Sequence, residues 1–242
     1  LYKEAYTPWE WHEKLFRIAK EEGLICFSSP FDKTAVDFLE SLNVPAYKIA
    51  SFEITDIPLI EYVASKGKPI ILSTGIAEKA DIELALDACR RMGNNDIALL
   101  KCTSSYPAPI EEANMCMVKD LAERYNVIAG LSDHTIGSTV PLVSVCFGAK
   151  IIEKHFILDR SIGGADASFS MNESEFSEMA KLVREAEKAI GKVSYDLTEK
   201  QKKGKDFSRS LYVVVNMKAD ELITEKNVRS IRPGYGLHPK FL

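Results

Sequence analysis

From residue 24 to residue 156 the sequence alternates two hydrophobic patterns. Short, nearly continuous apolar runs predict strands buried on both faces, and longer stretches with apolar positions three or four residues apart predict amphipathic helices. The expected strands are Leu24–Phe27, Ala46–Ala50, Pro69–Leu72, Ile97–Leu100, Val127–Leu131 and a sixth that opens at Ile151 and runs to Phe156. Ahead of them, Thr7 reads as the N-cap of a helix with Pro8 at N1 and Glu10 closing a capping box; this helix extends to about Glu22, where Gly23 stops it. Asp32 caps the next helix, whose Ala35, Val36, Leu39 and Leu42 share one face. Later helices start near Asp56 and cover about Lys79–Met92, Met117–Tyr125 and Ser138–Gly148, the last closed by Gly148 as C-cap.

A helix follows every expected strand, and no antiparallel signal interrupts the alternation. Such a chain forms a parallel sheet, either doubly wound or closed into a barrel. Polar residues at every strand end, and the absence of a Gly-x-Gly-x-x-Gly fingerprint, favour the α/β barrel. A (β/α)8 TIM barrel needs eight strands, so the first two are expected to precede Leu1, in a chain that begins without Met. Beyond the sixth strand, Asp159–Met171 is a polar loop, and Asn172 caps an amphipathic helix with Phe176, Met179, Leu182, Val183, Ala186 and Ile190 on its apolar face and Gly191 at its end. The pattern then changes. Lys200–Lys205 is a charged linker, and Leu211–Val215 is a β-branched run with no helix behind it. The expected division is a barrel domain over 1–195, a linker over 196–206 and the start of a small β-rich domain over 207–242.

Composition narrows the function. A chain of 242 residues with 46% hydrophobic residues can bury a sizeable core, and a net charge of −4 requires no polyanionic partner, which sets nucleic acid aside. Cys26, Cys89, Cys102, Cys116 and Cys146 are odd in number and widely spaced, as expected of reduced thiols in a cytoplasmic protein. Neither a signal peptide nor an apolar run of membrane length is present.

Candidate chemistry sits where the strands end. The fifth and sixth strands each run into a histidine, His134 and His155, and the crossover helix between them makes the two strands parallel, which brings both imidazoles to one side of the sheet. Two readings stand for the pair: a mononuclear divalent metal site, since neutral imidazole suits Zn, Mn, Co or Fe, or two histidines that bond their own loops. The other strand ends present Ser29, Lys48, Ser51, Glu53, Ser73, Ser104, Tyr106 and Ser132, and the last loop adds Asp166. Hydroxyls with one lysine suit a phosphate and a carboxylate together, leaving Glu53 and Asp166 for sugar hydroxyls or proton transfer.

These residues lie in segments that resemble the sialic acid synthases: Leu131–Thr135 (LSDHT), Ile152–Phe156 (IEKHF), Lys101–Pro107 (KCTSSYP), Tyr47–Ser51 (YKIAS) and Ser208–Tyr212 (SRSLY). The resemblance covers essentially the whole chain. It implies a synthase that condenses phosphoenolpyruvate with an N-acylated amino sugar. His134 and His155 would ligate a divalent metal such as Mn2+, with Mg2+ or Co2+ as alternatives. Ser29, Lys48, Ser51, Ser73, Ser104 and Ser132 would hold phosphoenolpyruvate, while Glu53, Tyr106 and Asp166 would face the sugar, Glu53 and Asp166 also as catalytic proton carriers. Ser104 stands where some members have Asn and Ser29 where some have Thr, and both can still donate a hydrogen bond. The implied fold is a (β/α)8 barrel followed by an antifreeze-like (SAF) domain that serves as a lid on the partner subunit of a domain-swapped homodimer. The family's sugar-contacting arginine would lie beyond Leu242, and its lysine and glutamate on the first two strands before Leu1. Thr7–Trp11 (TPWEW) and Gly164–Ser170 (GADASFS) are most similar to the pseudaminic branch of the family. Neuraminate and legionaminate synthases are the alternatives. A non-catalytic sugar-binding barrel is the reading of another class, against which the presence of both histidines and Lys48 counts.

Overall fold

Side chains alternate between the two faces of a strand, so each strand sorts its residues into a core set and a site set. The computed structural model describes residues 6–242. In it β1 (Tyr47–Ile49), β2 (Ile70–Ser73), β3 (Ile97–Cys102), β4 (Ile128–Asp133) and β5 (Ile152–Lys154) form one parallel sheet in the order β1-β2-β3-β4-β5. One face presents Tyr47, Ile49, Ile70, Leu72, Leu99, Ala129 and Leu131 to the core. Helices cover that face: α1 (Trp9–Glu21), α2 (Lys33–Ser41), α3 (Ile57–Ala64), α4 (Lys79–Arg91), α5 (Cys116–Tyr125), α6 (Thr139–Cys146) and α7 (Glu173–Ile190). Val36 and Leu39 of α2, Ile60 and Val63 of α3, Leu86 of α4, and Val118 and Leu121 of α5 fill the layer between. At about 25 cal/mol per Å2, each fully buried side chain of this kind contributes roughly 1.5–3 kcal/mol.

The sheet is curled into half of a barrel wall. In a flat sheet with strands about 4.8 Å apart, β1 and β5 would lie about 19 Å from each other. Instead Lys48 of β1 reaches Glu153 of β5, with Nζ 3.4 Å from Oε1. The concave face therefore gathers the alternate residues Lys48, Ser73, Cys102, Ser132 and Glu153.

Several helix ends follow from the sequence. Asp32 accepts from Ala35 N at 2.8 Å and caps α2, Asp56 accepts from Leu59 N at 3.1 Å and caps α3, and Asn172 forms a reciprocal capping box with Glu175 at the start of α7. Others differ. Pro8, not Thr7, is the N-cap of α1, and no side chain caps that helix, so the Thr7–Glu10 capping box does not form. The C-cap of α6 is Phe147, with Gly148 one position later at φ +91°, the left-handed conformation a glycine adopts without strain. Leu24–Phe27 is not a buried strand: only a single parallel bridge, Ser28 to Tyr47, joins this segment to β1, and Leu24 and Ile25 are exposed. An apolar run needs neighbours on both sides to be buried, and among the described residues this one has a neighbour only at β1. The sheet thus holds five strands among the described residues, where the pattern predicts six.

This first compact unit ends at Gly191, and a second covers Lys192–Leu242. Within the second, the charged Lys200–Lys205 stretch is not an irregular linker, because Glu199–Gly204 forms a short helix, α8, with a Thr198–Gln201 capping box. Lysine, glutamine and glutamate are good helix formers once the first turn is capped. β6 (Ser210–Val213) pairs antiparallel with β7 (Val228–Ile231), and the buried Ser210 hydroxyl donates to Pro233 O at 2.7 Å and accepts from Gly236 N at 3.0 Å. No helix among the described residues is long and apolar enough to cross a membrane.

Candidate active site

His134 follows β4 and His155 follows β5, and their ring centroids lie 5.1 Å apart. The Nδ1 of His134 is 2.9 Å from the carbonyl of Thr103. A carbonyl only accepts, so Nδ1 carries a proton. Burial disfavours the charged ring, but the Cys102 side chain and the Thr103 carbonyl outweigh it and hold the His134 imidazole above the usual histidine range. His155 Nδ1 lies 3.4 Å from Asp166 Oδ2. Burial first, and then the neighbouring His134, hold the His155 imidazole below the usual histidine range, so its lone pair is available at neutral pH. Tyr106 stacks at a tilt on His134, 4.3 Å between centroids, and Phe169 meets His155 edge-on at 5.0 Å. A ring nitrogen anchored on a backbone carbonyl, as His134 Nδ1 is, is a feature found around metal ligands. No group of three or more His, Cys, Asp or Glu among the described residues is placed to hold a metal. Two imidazoles placed together are too few donors for a closed structural zinc site.

The cradle for an anion lies beside the histidines. Lys48 and Ser51 are buried, and Ser104 Oγ donates to Ser51 Oγ at 2.9 Å. Ser132 Oγ donates to Glu153 Oε1 at 2.6 Å, and the same oxygen faces Lys48. Ser73 Oγ and Glu53 Oε2 are buried with no hydrogen-bond partner among the described residues. Such orphans call for an explanation, because a buried polar atom left unpaired costs about 1–3 kcal/mol. Burial holds the Glu53 carboxyl above its usual range, outweighing its own backbone hydrogen bond and the charge of Lys48. Ser29 is half-buried on the segment bridged to β1, and no hydrogen bond among the described residues ties its side chain to the cradle. Asp166 is exposed, and its loop is folded back by Ser170, whose N and Oγ both donate to the Asp166 carbonyl, at 3.1 and 2.7 Å.

Three participants escaped the sequence reading. Glu153 links Lys48 to Ser132, and its alternation with His155 places it on the same face. Cys102 lies 3.8 Å from His134 Nδ1 and 3.9 Å from Ser104 Oγ. Gly75 fits where a Cβ would strike the hydroxyls of Ser51 and Ser104, a contact no sequence pattern reveals.

Comparison with known proteins identifies the family. The chain is 46% identical over 241 residues to the pseudaminic acid synthase of Campylobacter jejuni, covering 100% of this chain and 70% of that protein. It is 35% identical over 229 residues to the N,N'-diacetyllegionaminic acid synthase of the same species, covering 93% and 69%. Among solved structures it resembles the N-acetylneuraminic acid (sialic acid) synthetase of Leptospira borgpetersenii, with a TM-score of 0.79 and 30% identity over 84% of this chain and 70% of that one. The NeuB family profile matches residues 1–195, which takes in the whole first unit and all of the strands that build the site. The chain belongs to the NeuB family of sialic acid synthases.

Proposed function

We propose that this protein is a pseudaminic acid synthase, condensing phosphoenolpyruvate with 2,4-diacetamido-2,4,6-trideoxy-L-altrose and water to give pseudaminic acid and phosphate. Identity of 46% to a pseudaminic acid synthase, against 35% to a legionaminic acid synthase, supports this branch. The observation that carries the chemistry is the pair of buried, unpartnered atoms, Ser73 Oγ and Glu53 Oε2, which both fall in the ligand set. A bound substrate completes them.

Phosphoenolpyruvate lies with its phosphate and carboxylate against Lys48 and the hydroxyls of Ser51, Ser73, Ser104 and Ser132, with Ser29 joining from the segment before β1. Lys48 exchanges part of its contact with Glu153 for the anion. His134 and His155 hold a divalent ion, with Mn2+ the first choice, and the ion when bound supplies Lewis acidity near the sugar aldehyde. The open-chain sugar rests against Tyr106, with Asp166 at its hydroxyls. C3 of phosphoenolpyruvate attacks the aldehyde carbon, forming the C–C bond, and the aldehyde oxygen takes a proton. Glu53 gives that proton, since its burial favours the protonated form. Water then adds at C2, returning a proton to Glu53, and C–O cleavage expels phosphate, which carries off the proton of the new C2 hydroxyl and leaves the 2-keto acid.

In the same reading β1–β5 are five successive strands of a (β/α)8 barrel, entered from the segment bridged to β1 at Ser28. Residues 207–242 open an antifreeze-like domain that serves the partner of a swapped homodimer. The protein works in the cytoplasm, where its five free cysteines stay reduced.

Mass-spectrometric product analysis in a direct competition tests the substrate. The deoxy sugar lacks the C6 hydroxyl, and the apolar Ala165, Ala167 and Phe169 around Asp166 offer that hydroxyl no partner. The expected preference over N-acetylmannosamine is at least about tenfold in kcat/KM. Comparable turnover of both sugars would move the assignment to a neuraminate-type synthase.

A further inference from the structure

Behind the two histidines lies a charged pair that the reaction does not use. Asp133 and Lys154 are register partners on β4 and β5, and each immediately precedes a histidine. Because side chains alternate along a strand, both point away from the face that carries Ser132 and Glu153. Their side chains are 2% and 1% exposed, and Lys154 Nζ lies 2.6 Å from Asp133 Oδ2. Asp133 also accepts from Thr135 N at 3.0 Å and from Thr135 Oγ1 at 3.1 Å. The Lys154 ammonium donates in addition to the Thr135 carbonyl. The residues on both sides of His134 are therefore tied to the residue that precedes His155.

A buried ion pair is a poor device for stability alone, because well-packed apolar side chains of similar volume often do as well or better. What it adds is direction. These hydrogen bonds close only when Asp133 faces Lys154, and a slip of one residue would leave two charges buried and unpaired while turning each histidine to the other face. On the site side, His134 has one directional contact, Nδ1 to Thr103 O, and the ring contacts from Tyr106 and Phe169 are apolar and far less directional.

We infer that the Asp133–Lys154 pair is a positioning clamp that sets the spacing and orientation of His134 and His155 for the divalent ion, an inference that rests on the metal reading above. The test compares the wild-type protein, stripped with EDTA, with a D133L/K154M double variant that replaces the pair by apolar side chains. Mn2+ affinity is measured by calorimetry, kcat and KM by phosphate release, and folding by thermal denaturation. The clamp predicts a melting temperature close to wild type, Mn2+ affinity lower by about 10–100-fold as for other outer-shell partners, and a fall in kcat with KM for phosphoenolpyruvate unchanged. Unchanged Mn2+ affinity and kcat in a folded double variant would overturn it. Should the double variant not fold, a D133N/K154Q variant, which keeps polar side chains at both positions and leaves no unpaired charge buried, is read in the same way. Absence of Mn2+ binding to the wild type would instead overturn the metal reading, and the clamp with it.

Discussion

Replacing Gly75 by alanine probes the anion cradle where its side chains leave no room for another atom. A Cβ there would lie 2.1 Å from Ser104 Oγ, 2.4 Å from Ser51 Oγ and 2.9 Å from Cys102 Sγ. Both hydroxyls must swing away, which breaks their 2.9 Å hydrogen bond to each other. Within the protein the loss is one hydrogen bond, about 0.5–1.5 kcal/mol, and two side chains moved off their rotamers at about 0.5–1.5 kcal/mol each. A domain of ordinary stability survives that. The ligand loses more: two hydroxyls directed at a phosphate or carboxylate contribute about 1.5–3 kcal/mol each, together about 3–6 kcal/mol. At 1.4 kcal/mol per factor of ten, affinity for phosphoenolpyruvate falls by roughly 100- to 10,000-fold. Phosphate-release kinetics with phosphoenolpyruvate varied at saturating sugar reads this as KM, and thermal denaturation reads the cost to the fold. A lower melting temperature with KM for phosphoenolpyruvate within about threefold of wild type would refute the reasoning, since the hydroxyls would then have moved without consequence for the anion.

Three further outcomes follow from the same geometry. Lys48→Ala raises KM for phosphoenolpyruvate much more than KM for the sugar; equal rises would mean that the Lys48–Glu153 contact is structural only. His134→Ala or His155→Ala abolishes turnover with far-ultraviolet circular dichroism unchanged, whereas full activity after EDTA treatment and Mn2+ resupply would sink the two-histidine site. Glu53→Gln raises the melting temperature at pH 7 while lowering kcat. The sign comes from burial, which raises the folded carboxyl above its ordinary 4.5, so folding favours the neutral form and stability is lost as pH rises through the folded value. The gain from glutamine therefore shrinks as pH falls toward 4.5, and a gain that persists undiminished in acid would contradict the burial argument.

How much was legible depended on whether the physical cause was local. Asp32 and Asn172 announce helix starts because a cap is a bond to a backbone N–H three residues on, which the sequence contains entire. Thr7 carried the same signal and failed because the chain turns into α1 at Pro8 without presenting any side chain to the first turn. Leu24–Phe27 failed for the opposite reason. Its apolar run is a statement about neighbours, and among the described residues it has one only at β1, so Leu24, Ile25 and Phe27 are exposed.

Within the site, legibility stopped at the boundary between period and register. A period of two is visible in the sequence, and it suffices to put Glu153 with His155 on one face and Asp133 with Lys154 on the other. It does not say which residue of one strand meets which of the next. Asp133 meets Lys154, and Ser132 meets Glu153, because Leu131 is paired with Ile152. That register is set in turn by Leu131 N donating to Ile151 O at 2.9 Å and Lys150 N to Ala129 O at 2.9 Å, one layer below the site. The segments LSDHT and IEKHF can therefore be read singly for their histidines, but their charges have meaning only as a pair. One layer of that pair joins Ser132 and Glu153 to Lys48 at the anion cradle, and the next joins Asp133 to Lys154 behind the imidazoles. Consecutive residues on two short strands thus build the proposed substrate face and the support of His134 and His155 from a single pairing, which is why a change of register would dismantle both together.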